Sequence, residues 1–286
     1  MNTHNVLEVS TPLLCSYPNT DQNINTFSFN WDNKTRYLQS SPEYCMKRLL
    51  AKGSGSIYQI CKAFRKDEVG KLHDPEFTIL EWYEVGVNYN GLLKKTIDLF
   101  KTILGSFSVI KYSYGELFKS YFNICPYSCT LEELTKVYKK VLDETKTDNT
   151  LLIDNGFNIA EMQQILFTEI IEPNFNGLTV IKDYPINQSL LAKENSINGI
   201  SYSERFEIFL NKMEIANGYS ELNTKNEYIE RLCGRYNMNL ENIDRNFLND
   251  LEEEIPNCSG IAIGIDRLFM YKNNFSNIEH ANPIHW

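Results

Sequence analysis

The sequence predicts an α+β fold, on three observations. Two long hairpins, over 57–83 and 204–222, have apolar arms and charged or polar turns, so they predict paired strands. Between them, from about 90 to 175, the pattern changes to the spacing of amphipathic helices. Near the end, an apolar stretch containing Gly260 and Gly264 predicts a buried strand running into a helix.

Taken in order, Val6-Leu7-Glu8-Val9-Ser10-Thr11-Pro12 predicts a short strand stopped by proline. Residues 20–31 are polar and asparagine-rich and predict a loop. Ser41-Pro42-Glu43 opens a helix through 45–52: serine caps, proline takes the first position, and an acid sits in the first turn. Ile57–Phe64 and Phe77–Tyr83 are the arms of the first hairpin. Between them stand Arg65, Lys66, Asp67, Glu68, Lys71, His73 and Asp74, more than the two to five residues of a structural hairpin loop. Alone, this stretch fits either a solvated loop or one that covers a ligand.

Leu92, Leu93, Ile97, Phe100 and Ile103/Leu104 share a helical face over 92–104, and 114–121 predicts a short helix. Thr130-Leu131-Glu132-Glu133 is a capping box before a helix at 134–142, and 159–171 predicts another, ended by Pro173. Leu178–Ile181 predicts a strand. In the second hairpin, alternation places Glu207 and Glu214 among apolar neighbours. Carboxylates so placed need partners, a cation if buried or water if at a sheet edge. Residues 223–236 and 244–254 predict two surface helices.

At 286 residues the chain can bury a large core, as one large domain or two small ones. No apolar run is long enough for a membrane, and Met1–Ser10 lacks a secretory pattern, which predicts a cytoplasmic protein with no membrane partner. Seven cysteines, an odd number without a CxxC pair, predict reduced thiols; Cys125 and Cys129 lack the histidines of a metal site. The net charge of −9, without a basic cluster interleaved with aromatics, argues against a long nucleic acid as partner. Gly260 to Gly264 has the wrong spacing for a dinucleotide fingerprint, and no Gly-Lys-Ser/Thr occurs.

Phe64-Arg65-x-x-Glu68, then His73-x-Pro75-Glu76-Phe77-Thr78-x-Leu80-Glu81-Trp82-Tyr83, resembles motif 2 of the class II aminoacyl-tRNA synthetases in its lysyl form. Val6–Pro12 resembles the end of motif 1, and Cys258–Met270, with Gly264-Ile265-Asp266-Arg267, resembles motif 3. The resemblance implies a mixed, mainly antiparallel sheet flanked by helices. It implies one catalytic domain over 1–286, with a helical insertion about 90–175 and no anticodon-binding domain. It also implies roles. Arg65 and Arg267 would be the catalytic pair, Arg65 on the α-phosphate of ATP and the substrate carboxylate, Arg267 on the γ-phosphate. Phe77 would stack on adenine, and Lys66, Asp67, Asp74, Glu214, Ile215 and Gly264 would complete the ATP site. Glu207 and Glu214 would hold magnesium. Ser41, Pro42, Glu43, Glu81, Tyr83, Asn217, Glu221 and Ala262 would surround the amino acid. Glu43 would take its amino group, Asn217 its carboxylate and Glu221 the far ammonium of lysine. For Glu43 the capping role stands beside this one.

Alanine at 262, where tRNA-charging relatives have glycine, together with Glu81-Trp82-Tyr83 and the short chain, resembles the branch that ligates (R)-β-lysine to elongation factor P. That resemblance implies ATP and Mg2+ as cofactors, lysine or β-lysine as substrate, and elongation factor P, rather than tRNA, as acceptor. Motif 1 implies a homodimer, although most of the helix that precedes it in the family is missing. The chain departs from the family at Lys66 and Asp67, which replace Asn and Glu, and at Asp74, which replaces Asn. Asp67 is one methylene short for the adenine amino group, and Asp74 brings a negative charge towards phosphate that Lys66 would offset. Two other readings stay open: a lysine-activating enzyme that charges tRNA or another amine, and a binding or regulatory module without turnover.

Overall fold

The computed structural model describes residues 5–18, 20–21, 24–145, 156–282 and 284. In chain order the elements begin with β1 (Leu7–Glu8), β2 (Leu14–Cys15), β3 (Ser28–Trp31), β4 (Lys34–Leu38), α1 (Glu43–Ala51), β5 (Ile57–Phe64), β6 (Glu76–Val85) and α2 (Tyr89–Leu104). Then come β7 (Val109–Ser113), α3 (Tyr114–Phe122), α4 (Leu131–Thr145), α5 (Ile159–Leu166), β8 (Leu178–Tyr184), β9 (Glu194–Ile197), β10 (Ile200–Leu210) and β11 (Met213–Ser220). The last are α6 (Lys225–Ile229), α7 (Arg245–Asp250), β12 (Cys258–Gly264) and α8 (Ile265–Asn273). The chain divides into two compact units, Met1–Ser106 with Leu190–Lys193 and Ile215–Trp286, and Phe107–Ser189 with Glu194–Glu214.

In the first unit the strands run β1-β5-β6-β12-β11. β1 lies parallel to β5, and the β5–β6, β6–β12 and β12–β11 pairs are antiparallel. This is the mixed, mainly antiparallel arrangement of an α+β fold. Its main core gathers Met46 and Leu50 of α1, Ile57, Tyr83, Tyr228, Leu232, Phe247 and Leu251. Burial at 0% exposure of Tyr228, Leu232 and Phe247 corrects the expectation of two surface helices: they cover the core. They are also shorter than expected. Over 223–236 there is α6 followed by a π-helical turn, Glu230–Arg235, and over 244–254 only α7, capped by the Asp244 carboxylate.

The loop expected over 20–31 needs correction as well. Ser28–Trp31 is a strand, because Asp32 and Asn33, at φ 52° and 57°, make the left-handed turn that folds it onto β4.

In the second unit β7 lies parallel to β8, while β10 pairs antiparallel with β8 and β9. Its core stacks Tyr114, Phe118, Phe167, Tyr184 and Phe209. The capping box expected at Thr130 is present, with Glu133 N–H donating to the threonine hydroxyl (3.2 Å) and Thr130 N–H to the glutamate (2.8 Å). The single helix expected over 159–171 is α5 and then a π-helical turn, Phe167–Ile171. All seven cysteines are free thiols. Among the described residues, no helix is long and apolar enough to cross a membrane.

Candidate active site

The floor of the candidate site is set by strand register. Residues opposite one another on adjacent strands project from the same face of a sheet. One such row is Gln59, Glu81, Ala262 and Asn217, and the next is Ile57, Tyr83, Gly260 and Tyr219. A third pairs Cys61, Ile79 and Gly264. Alternation along β6 brings Phe77 to that face too. Five residues expected around a ligand, Phe77, Glu81, Tyr83, Asn217 and Ala262, are therefore placed together by register alone.

Helix α1 adds the next group. The N-cap position is Pro42, not Ser41 as expected, because the helix begins at Glu43; the Ser41 hydroxyl oxygen still accepts the Glu43 N–H at 3.1 Å, and its own proton goes to Glu81 Oε1. Glu43, in the first turn, accepts from the Tyr219 hydroxyl and from Lys47 Nζ, the latter at 2.6 Å. The Lys47 ammonium also lies 2.7 Å from Glu221 Oε2, and it sits 5.4 Å from the ring centroids of both Tyr219 and Tyr228. Tyr83 donates to Glu81 Oε2 at 3.0 Å. Sequence reasoning missed Lys47. The signal was present, since Glu43 and Lys47 are one helical turn apart.

Burial decides the electrostatics. Glu81 and Glu221 are 3% and 1% exposed. Burial, reinforced by the negative charge of Glu43, pushes the Glu81 carboxyl up to about 7 despite its two hydroxyl donors. Burial pushes Glu221 to about 8, against the pull of Lys47. Burial also acts to lower the Lys47 pKa, but Glu221 and Glu43 outweigh it and hold the ammonium charged. Three carboxyls thus stand around one ammonium, which touches two of them. An incoming ammonium would favour ionisation of the carboxyls that Lys47 does not balance.

Gly260 leaves room for the carboxylate cluster itself. A Cβ there would stand 2.2 Å from Glu221 Oε1 and 2.5 Å from a Tyr83 ring carbon. That space is filled by the cluster's own side chains, Glu221 and Tyr83. At Gly264 a Cβ would make only ordinary contacts, from 3.7 Å.

The two arginines lie at the other end of the same unit. The Arg65 guanidinium lies 5.0 Å over the Phe77 ring and 3.3 Å from Glu68. Arg267, in the first turn of α8, donates to Leu72 O at 3.1 Å, and its Nη2 is 2.6 Å from His73 Nε2. Burial, with Arg267 next, lowers the His73 pKa, so the ring is neutral at pH 7 and can accept this bond. The loop's own groups occupy both arginines. Asp266 anchors α8 by accepting the Thr78 N–H at 2.7 Å. Of the departing residues, Asp67 accepts from Asn25 at 2.7 Å, Asp74 from the Glu76 N–H at 3.3 Å, and Lys66 is exposed. Ile215 is buried on β11.

The acidic pair belongs to the second unit. Glu207 is 8% exposed. Its Oε2 accepts from Tyr184 at 2.6 Å and its Oε1 from Arg205, whose guanidinium lies 4.6 Å over the Tyr184 ring. Glu214 is half-buried on the strand that follows the Asn211-Lys212 turn. Among the described residues no group of three or more His, Cys, Asp or Glu is arranged around a metal. Both Glu207 oxygens keep a lone pair after these bonds, so the pair still suits a hard cation that retains water ligands.

Comparison with known proteins bears on this geometry. The sequence model for tRNA synthetases class II (D, K and N) matches residues 1–283. The chain is 39% identical over 293 residues to the elongation factor P--(R)-beta-lysine ligase of Haemophilus ducreyi, covering 96% of this chain and 86% of that one. It is 39% identical to the protein of that name from Buchnera aphidicola of Schizaphis graminum (97% and 88% covered). To that of Mannheimia succiniciproducens it is 36% identical (96% and 87%). With a family match over nearly its whole length and a register that assembles the residues of that family's motifs on one sheet face, the chain belongs to the class II tRNA synthetase family.

Proposed function

We propose that the protein activates lysine or (R)-β-lysine with ATP and transfers it to a lysine side chain of elongation factor P, as the names of its relatives suggest. The observation that carries the substrate class is the group of half-buried Glu43 and buried Glu81 and Glu221, which has more carboxyls than Lys47 balances. A diamino acid brings two ammonium groups to such a site.

The reaction takes two steps. A substrate carboxylate oxygen attacks the α-phosphorus of ATP; the bond to the bridging oxygen breaks and pyrophosphate leaves. The acceptor amine then attacks the adenylate carbonyl, loses a proton and expels AMP. Arg65 holds the α-phosphate and the substrate carboxylate, a task its planar fork suits. Arg267 holds the γ-phosphate, and Phe77 supports the adenine ring. To do so both arginines exchange their present partners, Glu68, Leu72 O and His73, for phosphate oxygens. Lys66, Asp67, Asp74, Ile215 and Gly264 border the nucleotide. Glu207 and Glu214 would hold magnesium, which when bound neutralises phosphate charge. Asn217 orients the substrate carboxylate, and Ser41, Pro42, Tyr83 and Ala262 shape the pocket. Catalysis is by position and charge, with no side-chain nucleophile. Free thiols suit a cytosolic setting for this reaction.

ATP–pyrophosphate exchange with α-lysine, (R)-β-lysine and ornithine tests the reading. Exchange stimulated by a lysine isomer is expected; exchange stimulated by none of the three would overturn it.

A further inference from the structure

The Lys47 ammonium has no part in the roles just proposed, yet its side chain is 0% exposed and closes the pocket's charge network. We infer that Lys47 is a positioning residue whose fixed charge balances one of the cluster's three carboxyls and leaves two to ionise against the two ammonium groups of a diamino acid. The inference rests on the reading that this pocket takes lysine or β-lysine.

The geometry is that of a built-in counter-ion. Nζ lies 2.6 Å from Glu43 on its own helix and 2.7 Å from Glu221 just beyond β11. The faces of Tyr219 and Tyr228 cover it at 5.4 Å each. Glu81 and Tyr83 from β6, Tyr44 from α1 and Cys258 from β12 complete the charged and titratable groups around it. Such a cation, held by two carboxylates and two rings, cannot leave for water without uncovering buried charge.

The count follows. Glu43, Glu81 and Glu221 against Lys47 leave two carboxylates unbalanced. A substrate with two ammonium groups fills that deficit. One with a single ammonium leaves a buried carboxylate that must take a proton. Without Lys47, a diamino acid itself leaves one carboxylate over, and the cluster must hold one more proton when empty.

The test uses the full chain with Lys47→Met and Lys47→Arg. Titration calorimetry of lysine and (R)-β-lysine in two buffers of different ionisation enthalpy counts the protons released on binding, and KM for the amino acid is followed against pH. Lys47→Arg should release the wild-type number of protons and keep the wild-type limb. Lys47→Met should also release the wild-type number, because the carboxylate left over keeps its extra proton in the complex, but the acid limb of its KM profile should move up by about one pH unit, or about tenfold on that limb. Lys47→Met with an unmoved limb overturns the inference, whatever its stability. If neither variant folds, nitrogen NMR of Lys47 Nζ in the wild type decides. An ammonium persisting to about pH 9, with and without lysine, supports it, and deprotonation below that overturns it. Wild-type protein that binds neither isomer overturns the underlying reading and the inference with it. Binding with an unmoved limb in Lys47→Met overturns the inference alone.

Discussion

Replacing Gly260 with alanine strikes the carboxylate cluster without removing any of its charged groups. The added Cβ would lie 2.2 Å from Glu221 Oε1 and 2.5 and 2.7 Å from two Tyr83 ring carbons, where ordinary contact begins at 3.4 Å. Glu221 must therefore retreat by about 1 Å. It is 1% exposed and Tyr83 3%, so neither has open space to enter. Retreat lengthens the 2.7 Å contact to Lys47. Overpacking of this kind costs roughly 1–3 kcal/mol of stability, and an error of about 1 Å in a positioning group costs on the order of a hundredfold in rate. Pyrophosphate exchange should show KM for lysine raised at least about tenfold, with KM for ATP little changed. Thermal unfolding should show a loss within the overpacking range. A Gly260→Ala protein with wild-type KM and wild-type Tm would refute the crowding argument and the placement of Glu221 in the pocket.

Further outcomes follow from the same geometry. Arg267→Ala should fold normally yet lose about 3–4 kcal/mol of transition-state stabilisation in pyrophosphate exchange; near-normal exchange would remove Arg267 from the nucleotide site. Ala262, between Glu81 and Asn217 in register, contributes one methyl to the pocket floor. Ala262→Gly should shift the kcat/KM ratio for α- over β-lysine upward by no more than about 1–3 kcal/mol, and an unmoved ratio would place specificity elsewhere. Glu81 and Glu221 titrate near 7 and 8 when folded, above the ordinary 4.5. The folded state thus binds protons more tightly than the unfolded one. Their contribution to stability is full below about pH 4.5 and is lost as pH rises from there to about 7 for Glu81 and about 8 for Glu221. The ligand-free Tm should fall over that window and saturating lysine should flatten the fall; the same slope with and without lysine would contradict the cluster's role.

Motif residues placed by strand alternation were legible in the sequence. Phe77, Glu81 and Tyr83 share parity along one strand, and β12 carries Ala262 opposite Glu81, so reading the strands is reading much of the site floor. What escaped depends on contacts between distant segments. Lys47 reads as the polar residue of an amphipathic helix until Glu221 and Tyr228 are folded around it. The hydroxyl bonds of Ser41 to Glu81 and of Tyr219 to Glu43 escaped for the same reason. The Arg205–Glu207 pair lay two residues apart in plain sight, but only burial and the Tyr184 ring give it weight. Strand β3 was hidden by its polar approach, although Asp32-Asn33 is the kind of turn that closes a tight hairpin. The two π-helical turns have no sequence signal that separates them from continued helix, since the apolar face carries on through both.

The central claim is that this pocket activates a lysine-type diamino acid for a protein acceptor. Its most direct test is to incubate the protein with ATP, magnesium, (R)-β-lysine and elongation factor P, then measure the intact mass and peptide map of the acceptor. The account predicts that elongation factor P gains one lysyl residue on a single lysine side chain, dependent on ATP and abolished by Arg65→Ala. Unmodified elongation factor P, in a reaction where pyrophosphate exchange shows the adenylate forming, would contradict it.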